Sequence, residues 1–136
     1  MLRLKSRQEL ATEAKTLAQS FKLVYFRNNL YIPLHYETGE PNATGDPTES
    51  YWETMSQLDI RRYAAHQFQT LFSTDSELRN FHFMVLQAAE GIYHNVDALL
   101  IKTDQGLRVL NDQGELTEPT GEFVANTLLP RLNTNE

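Results

Sequence analysis

The sequence predicts a single α+β domain made of an N-terminal helix, an aromatic β-hairpin, an antiparallel helix pair and a C-terminal β-hairpin. Two observations indicate this class: apolar residues at helical spacing that follow capping motifs, and β-rich runs separated by short turn signals. The chain has 136 residues, of which 40% are hydrophobic and 10% aromatic. That length suffices for a hydrophobic core, and the composition is too apolar for a disordered chain. Residues 1–136 are therefore expected to form one domain.

The first helix is predicted from Arg7 to about Gln19. Ser6 and Glu9 have the spacing of a capping box, in which the serine hydroxyl accepts a hydrogen bond from the Glu9 amide and the carboxylate returns to the cap. The apolar residues that follow recur at helical spacing. They are Leu10, Ala14, Leu17, Ala18 and Phe21.

The aromatic hairpin is predicted from residues 22–27 (KLVYFR) and 30–36 (LYIPLHY). Asn28 and Asn29 separate the two runs and tolerate the positive φ angles of a tight turn. Pro33 cannot donate a hydrogen bond, so the second strand is expected at a sheet edge or at a bulge. Residues 37–50 (ETGEPNATGDPTES) contain two Gly, two Pro and no large apolar residue, which predicts a flexible loop.

The second half of the chain changes from helical to strand periodicity. A helix is predicted over residues 54–72, capped by Thr54 or Ser56, and another begins at a capping box of Thr74 and Glu77 and ends near residues 91–94. The short connection predicts that the two helices pack antiparallel. Residues 97–103 and 107–110 form the C-terminal hairpin around a turn at 104–106, and residues 123–129 fit a short helix or a strand.

The sequence lacks the motifs of the common catalytic sites. Without cysteine, disulfide scaffolds, Cys-ligated metal sites and thiol enzymes are excluded. The chain has no phosphate-binding P-loop, no G-x-G-x-x-G, no nucleophile elbow and no paired carboxylates for two metal ions. Its four His lack close ligand spacing; Glu90 and His94, one turn apart, are more typical of a surface contact than of a metal site. We expect no catalytic residues, no metal and no cofactor, and hence no enzyme in this chain alone.

The location of the protein follows from two further absences. No apolar run approaches the roughly 20 residues that cross a bilayer, and no secretory signal follows the charged N-terminus. We therefore expect a cytoplasmic protein with no membrane contact.

Charge is distributed unevenly along the chain, whose formal net charge is −6. Residues 1–36 carry six Lys and Arg against two Glu, whereas residues 37–60 carry six Asp and Glu and no Lys or Arg. A basic segment of this kind is typical of a surface that faces a polyanion, and also of ordinary solvating charges on a surface. The candidate nucleic-acid-binding residues are Lys22, Arg27, Tyr25, Tyr31, Arg61 and Arg62. Basic residues between aromatics can hold a phosphate backbone while bases stack, although the same aromatics would also serve as core.

The acidic stretch supports a second interpretation, in which carboxylates bind a protein partner that expects phosphate. The candidate protein-binding residues are Glu37, Glu40, Asp46, Glu49 and Glu53. The single Trp, Trp52, follows this stretch and is expected to anchor the chain onto the core.

Three stretches resemble the region upstream of the superfamily 3 helicase domain in phage and plasmid primase–helicases. Residues 22–32 (KLVYFRNNLYI) resemble a hairpin of that region, and Tyr51-Trp52 followed by Asp59-Ile60-Arg61 resembles its aromatic residue before a helix. Residues 99–120 (LLIKTDQGLRVLNDQGELTEPT), followed by 122–130 (EFVANTLLP), resemble its second hairpin and the segment leading to the helicase.

The resemblance implies a non-catalytic DNA-replication module that acts with a helicase or primase. In that family the ATPase and primase motifs lie outside this region. Single-stranded or forked DNA would be a weak further ligand. The alternative is a small acidic adaptor or inhibitor that binds a nucleic-acid enzyme through its acidic stretch, residues 37–59.

Overall fold

A computed structural model describes residues 1–44, 49–94, 98–119 and 131–132. Over these residues it shows one α+β domain with three helices and a mixed six-stranded sheet. The elements in chain order are β1 (Arg3–Leu4), α1 (Arg7–Ser20), β2 (Val24–Phe26), β3 (Asn29–His35), β4 (Ser50–Thr54), α2 (Gln57–Phe68), β5 (Thr70–Leu71), α3 (Asp75–Ile92), β6 (Tyr93–His94), β7 (Ala98–Thr103), β8 (Gly106–Asn111), β9 (Leu116–Thr117) and β10 (Arg131–Leu132).

The main sheet joins two hairpins through one parallel pairing. Its strand order is β2-β3-β4-β7-β8-β9, and all neighbours are antiparallel except β4 and β7. The parallel contact aligns Trp52 with Ile101. Parallel neighbouring strands need a long crossover connection. Here the connection from β4 to β7 contains α2 and α3. Two small sheets complete the fold: β1 with β5, parallel, and β6 with β10, antiparallel.

The helix boundaries largely confirm the predictions. Ser6 and Glu9 form the predicted capping box of α1. The second helix begins at Gln57 rather than at residue 54, because Thr54 belongs to β4 and the cap is Ser56. It ends at Phe68, since Gln69 has a left-handed backbone with φ 57°.

The third helix keeps half of its predicted capping box. The Thr74 hydroxyl accepts a hydrogen bond from the Glu77 amide at 3.1 Å. The Glu77 carboxylate instead accepts hydrogen bonds from the amide and the hydroxyl of Ser73. The first turn of α3 is therefore closed by two neighbouring hydroxyl residues.

The turn of the aromatic hairpin lies one residue before the predicted position. Arg27 and Asn28 have φ angles of 50° and 64°, and Asn29 already pairs with Phe26. Positive φ at both central residues is the geometry that matches the twist of two paired strands. The Tyr25 hydroxyl donates to Asn28 Oδ1 at 2.8 Å and stabilises this turn.

The prediction that Pro33 lies at a sheet edge or bulge is wrong, because β3 lies between β2 and β4. On the side of β3 that faces away from β4, the pairing with β2 reaches only to Tyr31. Residues 40–42 pair with the rest of β3 on that side. The Pro33 carbonyl accepts the Asn42 amide at 2.9 Å, so the nitrogen that lacks a hydrogen faces this short segment. The long, regular pairing with β4 therefore loses no donor.

The helices pack around α3, which makes its most extensive contacts with α1 and fewer with α2. The sequence predicted the pairing of α2 with α3 but gave no sign of the larger α1 contact. The parallel pair β1–β5 explains that contact, since it aligns Leu4 with Leu71 shortly before α1 and α3 begin. The two helices thus start next to each other.

The core includes both faces of β3, where residues 30–34 are all buried. Trp52 is 1% exposed, as expected of a packing anchor. The C-terminal hairpin is confirmed as β7 and β8, while residues 123–129 lie outside the described part. Within the described residues, no helix combines the length and apolarity that a bilayer crossing requires.

Candidate functional site

The aromatic residues of the predicted nucleic-acid surface are engaged within the fold. Tyr31 is 4% exposed, and its ring lies 6.5 Å from that of Phe26. Burial raises the pKa of the Tyr31 hydroxyl, against hydrogen bonds with Thr54 and Asn29 that lower it. The half-buried Tyr25 is held to Asn28. The Tyr31 ring is therefore closed to a base, whereas the Tyr25 ring is partly exposed.

The basic residues near the hairpin are placed less uniformly. Lys22 is half-buried and follows α1 with a φ of 55°. Arg27 is exposed, but its Nη1 donates to the backbone oxygen of Asp112 at 2.5 Å. The Arg27 guanidinium is therefore engaged in a contact within the protein.

The two arginines of α2 are both exposed, as predicted for a surface helix. Arg62 forms an ion pair with Asp59 at 2.6 Å, while Arg61 makes no ion pair with any described residue. Arg61 is thus the predicted cation that is most available to an external ligand.

Three carboxylates line one cleft between the β3–β4 region and α2. This cleft, named here the acidic cleft, has a volume of about 300 Å³ and includes Glu40, Glu53 and Asp59. Its apolar part is formed by Ile32, Leu34, Pro41 and Met55, and Tyr63 lines the α2 side. No Lys or Arg is among the described residues that line it.

Glu40 is positioned by a compact turn after β3. Its backbone oxygen accepts the His35 amide at 2.9 Å, and its amide donates to the Thr38 hydroxyl at 3.2 Å. Gly39 donates back to the His35 oxygen and has a φ of 72°, which favours glycine. The predicted loop is thus hydrogen-bonded to β3 in its first part.

The second part of the connection is held by the buried side chain of Asn42. Its Nδ2 donates to the Ser50 hydroxyl at 2.7 Å, and its Oδ1 accepts from the amide and hydroxyl of Thr44. These bonds link the chain leaving β3 with the start of β4. Glu40 and Glu53, thirteen positions apart, therefore meet in one cleft.

Glu53 and Asp59 are positioned by β4 and by the start of α2. Glu53 pairs with Ile32 and shares its face of the sheet. Asp59 accepts hydrogen bonds from the amide and hydroxyl of Ser56 at 2.9 Å each. Burial works against ionisation of Asp59, but the Ser56 hydrogen bonds and the Arg62 charge outweigh it and lower the pKa.

The electrostatic environment of Tyr63 shows the sign of the field in the cleft. Burial raises the pKa of its hydroxyl most, and the charges of Asp59, Glu40 and Glu53 raise it further. Arg62 acts in the opposite direction. Three negative neighbours against one positive neighbour make the cleft favourable for a cation.

The other predicted acidic residues lie elsewhere. Glu37 and Glu49 line a separate cavity of about 480 Å³ with His35, Tyr36 and Thr38. Asp46 lies outside the described residues. The four predicted protein-binding residues that the structure describes are thus divided between two cavities.

Sequence reasoning missed two members of the cleft, Asp59 and Tyr63. Asp59 ended the predicted acidic stretch, residues 37–59, but was not among the candidate protein-binding residues. Tyr63 follows it by four residues, the spacing that puts two side chains on one face of a helix. The capping position of Asp59 and this spacing were the available signals.

The carboxylates and apolar residues of the cleft together suit an organic cation. Among the residues that the structure describes, no group of three His, Asp or Glu could hold a metal ion. An extended ammonium or guanidinium group can contact separated carboxylates while its aliphatic stem packs on apolar residues.

Comparison with known proteins gives no relative: no family model, no curated protein and no solved structure matches this chain.

Proposed function

We propose that this protein is a non-catalytic adaptor that binds a basic segment of a partner protein in its acidic cleft. The observation that carries the proposal is the joint placement of Glu40 and Glu53 beside Tyr63, above apolar residues that include Met55. A lysine or arginine side chain of the partner would place its charged group between the carboxylates and its stem on the apolar part.

The charges available in the cleft support a cationic partner. Asp59 is balanced by Arg62, whereas Glu40 and Glu53 form no ion pair with any described residue. Both are exposed, so binding would replace water and not an internal contact. The attraction should therefore weaken as salt screens it, over a Debye length of about 10 Å at 0.1 M.

A nucleic-acid enzyme such as a helicase or primase is the partner class that fits this charge pattern. Such enzymes expose lysine and arginine where they bind phosphates, and carboxylates can occupy those positions. The proposed contact would let the adaptor recruit or restrain the enzyme without contacting DNA itself.

The test uses labelled peptides in which Lys or Arg alternates with Leu, with Glu-containing versions as negative peptides. We expect fluorescence anisotropy to show binding of the basic peptides that weakens with added salt. The double variant Glu40→Gln/Glu53→Gln should reduce the affinity at least about tenfold, as expected on losing two charge-assisted contacts.

The matched control is Glu37→Gln/Glu49→Gln, which changes the net charge equally but in the other cavity. It should retain most of the affinity. Equal losses in both double variants would show attraction to net charge alone and would overturn the assignment of the cleft. Absence of binding by every basic peptide would overturn the adaptor function.

A second candidate is the replication module with weak nucleic-acid contact, and the exposure of Arg61 and Arg62 on α2 favours it. In this case single-stranded oligodeoxythymidylate should bind weakly and with strong salt dependence. The variant Arg61→Glu/Arg62→Glu should lower DNA affinity with little change in melting temperature. DNA binding that survives this change would contradict the role of these arginines.

A further inference from the structure

We propose that a second copy of this chain docks in the groove between α1 and α3, forming a symmetric dimer. The groove has a volume of about 740 Å³ and lies apart from the acidic cleft. The proposal is independent of the adaptor function, because the two surfaces share no lining residue.

Apolar residues of both helices are among those that line the groove, and one of them is largely exposed. Leu10 of α1 and Phe81 of α3 line it from the core and are 8% and 0% exposed, whereas Met84 of α3 is half-buried and adds accessible apolar surface. Phe83, also among the lining residues, is 58% exposed although it is one of the largest apolar side chains. A surface with both a hollow and an exposed ring can fill itself when two copies meet.

The charges that line the groove indicate a copy of the same chain as the occupant. Arg7 and Glu77 both line the groove, yet neither forms an ion pair with any described residue. In a two-fold interface every contact between two different residues occurs twice, so a contact of Arg7 in one copy with Glu77 in the other would form two ion pairs. The same patch thus supplies both opposite charges.

The first experiment is sedimentation equilibrium of the full chain up to about 1 mM protein, a range that includes weak dimers. We expect a monomer–dimer equilibrium, and Phe83→Ser should raise the dissociation constant at least about tenfold. The control Leu58→Ser removes another exposed apolar side chain, on α2, and should leave the constant unchanged. A monomer at all concentrations, or a dimer insensitive to Phe83→Ser, would overturn the proposal.

The second experiment tests the charge pairing with two variants that should not self-associate. Arg7→Glu creates two acidic contacts in its own dimer, and Glu77→Arg creates two basic contacts. Mixed together, they should form a heterodimer in which both contacts are again of opposite sign. Circular dichroism checks the fold, since Glu77 also accepts hydrogen bonds from Ser73.

Lack of heterodimers from the two folded variants would contradict the pairing. If Glu77→Arg does not fold, Arg7→Glu alone is expected to weaken the dimer. An unchanged dissociation constant for Arg7→Glu would then contradict the pairing. The Phe83→Ser variant should still bind the basic peptides, so failure of the dimer and failure of the adaptor function are separate results.

Discussion

Arg27 Nη1 donates to the backbone oxygen of Asp112 at 2.5 Å and links two distant turns of the sheet. Arg27 lies between β2 and β3, and Asp112 lies between β8 and β9, at the other end of the strands. In a flat sheet four strand spacings, about 19 Å, would separate the turns sideways alone. The contact shows that the sheet is coiled so strongly that two diagonal corners meet.

Gly114→Ala should lower the free energy of unfolding by about 1–2 kcal/mol, because Gly114 has a φ of 83° that disfavours side chains. The added Cβ would also lie 2.7 Å from Arg27 Nη2 and displace the guanidinium. Urea denaturation measures the change.

A double-mutant cycle with Arg27→Ala separates the backbone strain at position 114 from the clash with the Arg27 guanidinium. In that background Gly114→Ala should cost less, since only backbone strain remains. Gly91→Ala, in α3 with open space around it, is the matched control and should stabilise by about 0.5–1 kcal/mol. An equal loss of stability in both backgrounds would show that the contact of Arg27 with the turn at Gly114 contributes nothing to stability.

Lys5→Met should lower the free energy of unfolding by about 3 kcal/mol, the lower end for breaking a buried ion pair. Lys5 Nζ lies 3.1 Å from Glu13 Oε1, and the Thr70 hydroxyl donates to the same carboxylate. Without the ammonium group, the largely buried Glu13 carboxyl loses its ion-pair partner. Urea denaturation at neutral pH tests this.

Lys5→Met/Glu13→Gln should be more stable than Lys5→Met, because the neutral amide still accepts from Thr70. Arg3→Met removes the exposed pair with Glu9 and should change stability by at most about 0.5 kcal/mol. A double variant less stable than Lys5→Met would contradict the argument from buried charge.

Asp59→Asn should destabilise the protein at neutral pH, and the difference from wild type should vanish in acid. The folded-state pKa of Asp59 is lowered below the ordinary 3.8, so its contribution is complete above that value and is lost as the pH falls through the folded-state pKa. Denaturation from pH 7 to about pH 2 gives the curve. Asp104→Asn, the same change in an exposed turn, is the comparison, and a difference that persists in acid would refute this origin.

His82 should make the protein less stable as the pH falls below about 6.5. Burial lowers the pKa of its imidazole, so the folded state disfavours the charged form. The stability present above the ordinary pKa is lost as the pH falls through the lower folded-state pKa. His82→Gln should remove this part of the slope between about pH 5 and pH 7, whereas His66→Gln on the surface of α2 should preserve it. A slope unchanged in His82→Gln would contradict the assignment.

Local features of the fold were predictable, because they depend on neighbouring residues. The capping box at Ser6 and the C-terminal hairpin around Gly106 follow from short-range hydrogen bonds and backbone preferences. The start of α2 was less certain, since Thr54 and Ser56 are both good caps and only the pairing of Thr54 with Tyr31 decides between them.

Contacts between distant segments were not predictable from one sequence. The parallel alignment of Trp52 with Ile101 depends on the path of two intervening helices. The acidic cleft likewise requires Asn42 to bring the start of β4 back towards β3. The acidic stretch identified Glu40 and Glu53 as candidates, but only the fold groups them with Asp59 and separates them from Glu37.

The parallel junction of β4 with β7 also bears on how the chain acquires its structure during synthesis. Everything up to β4 is made before α2 and α3, so one side of β4 stays unpaired until β7 has emerged. An open strand edge is a template for pairing with other chains. Slow translation through residues 55–97, or truncation before β7, leaves this edge of β4 open. Either change should therefore favour aggregation.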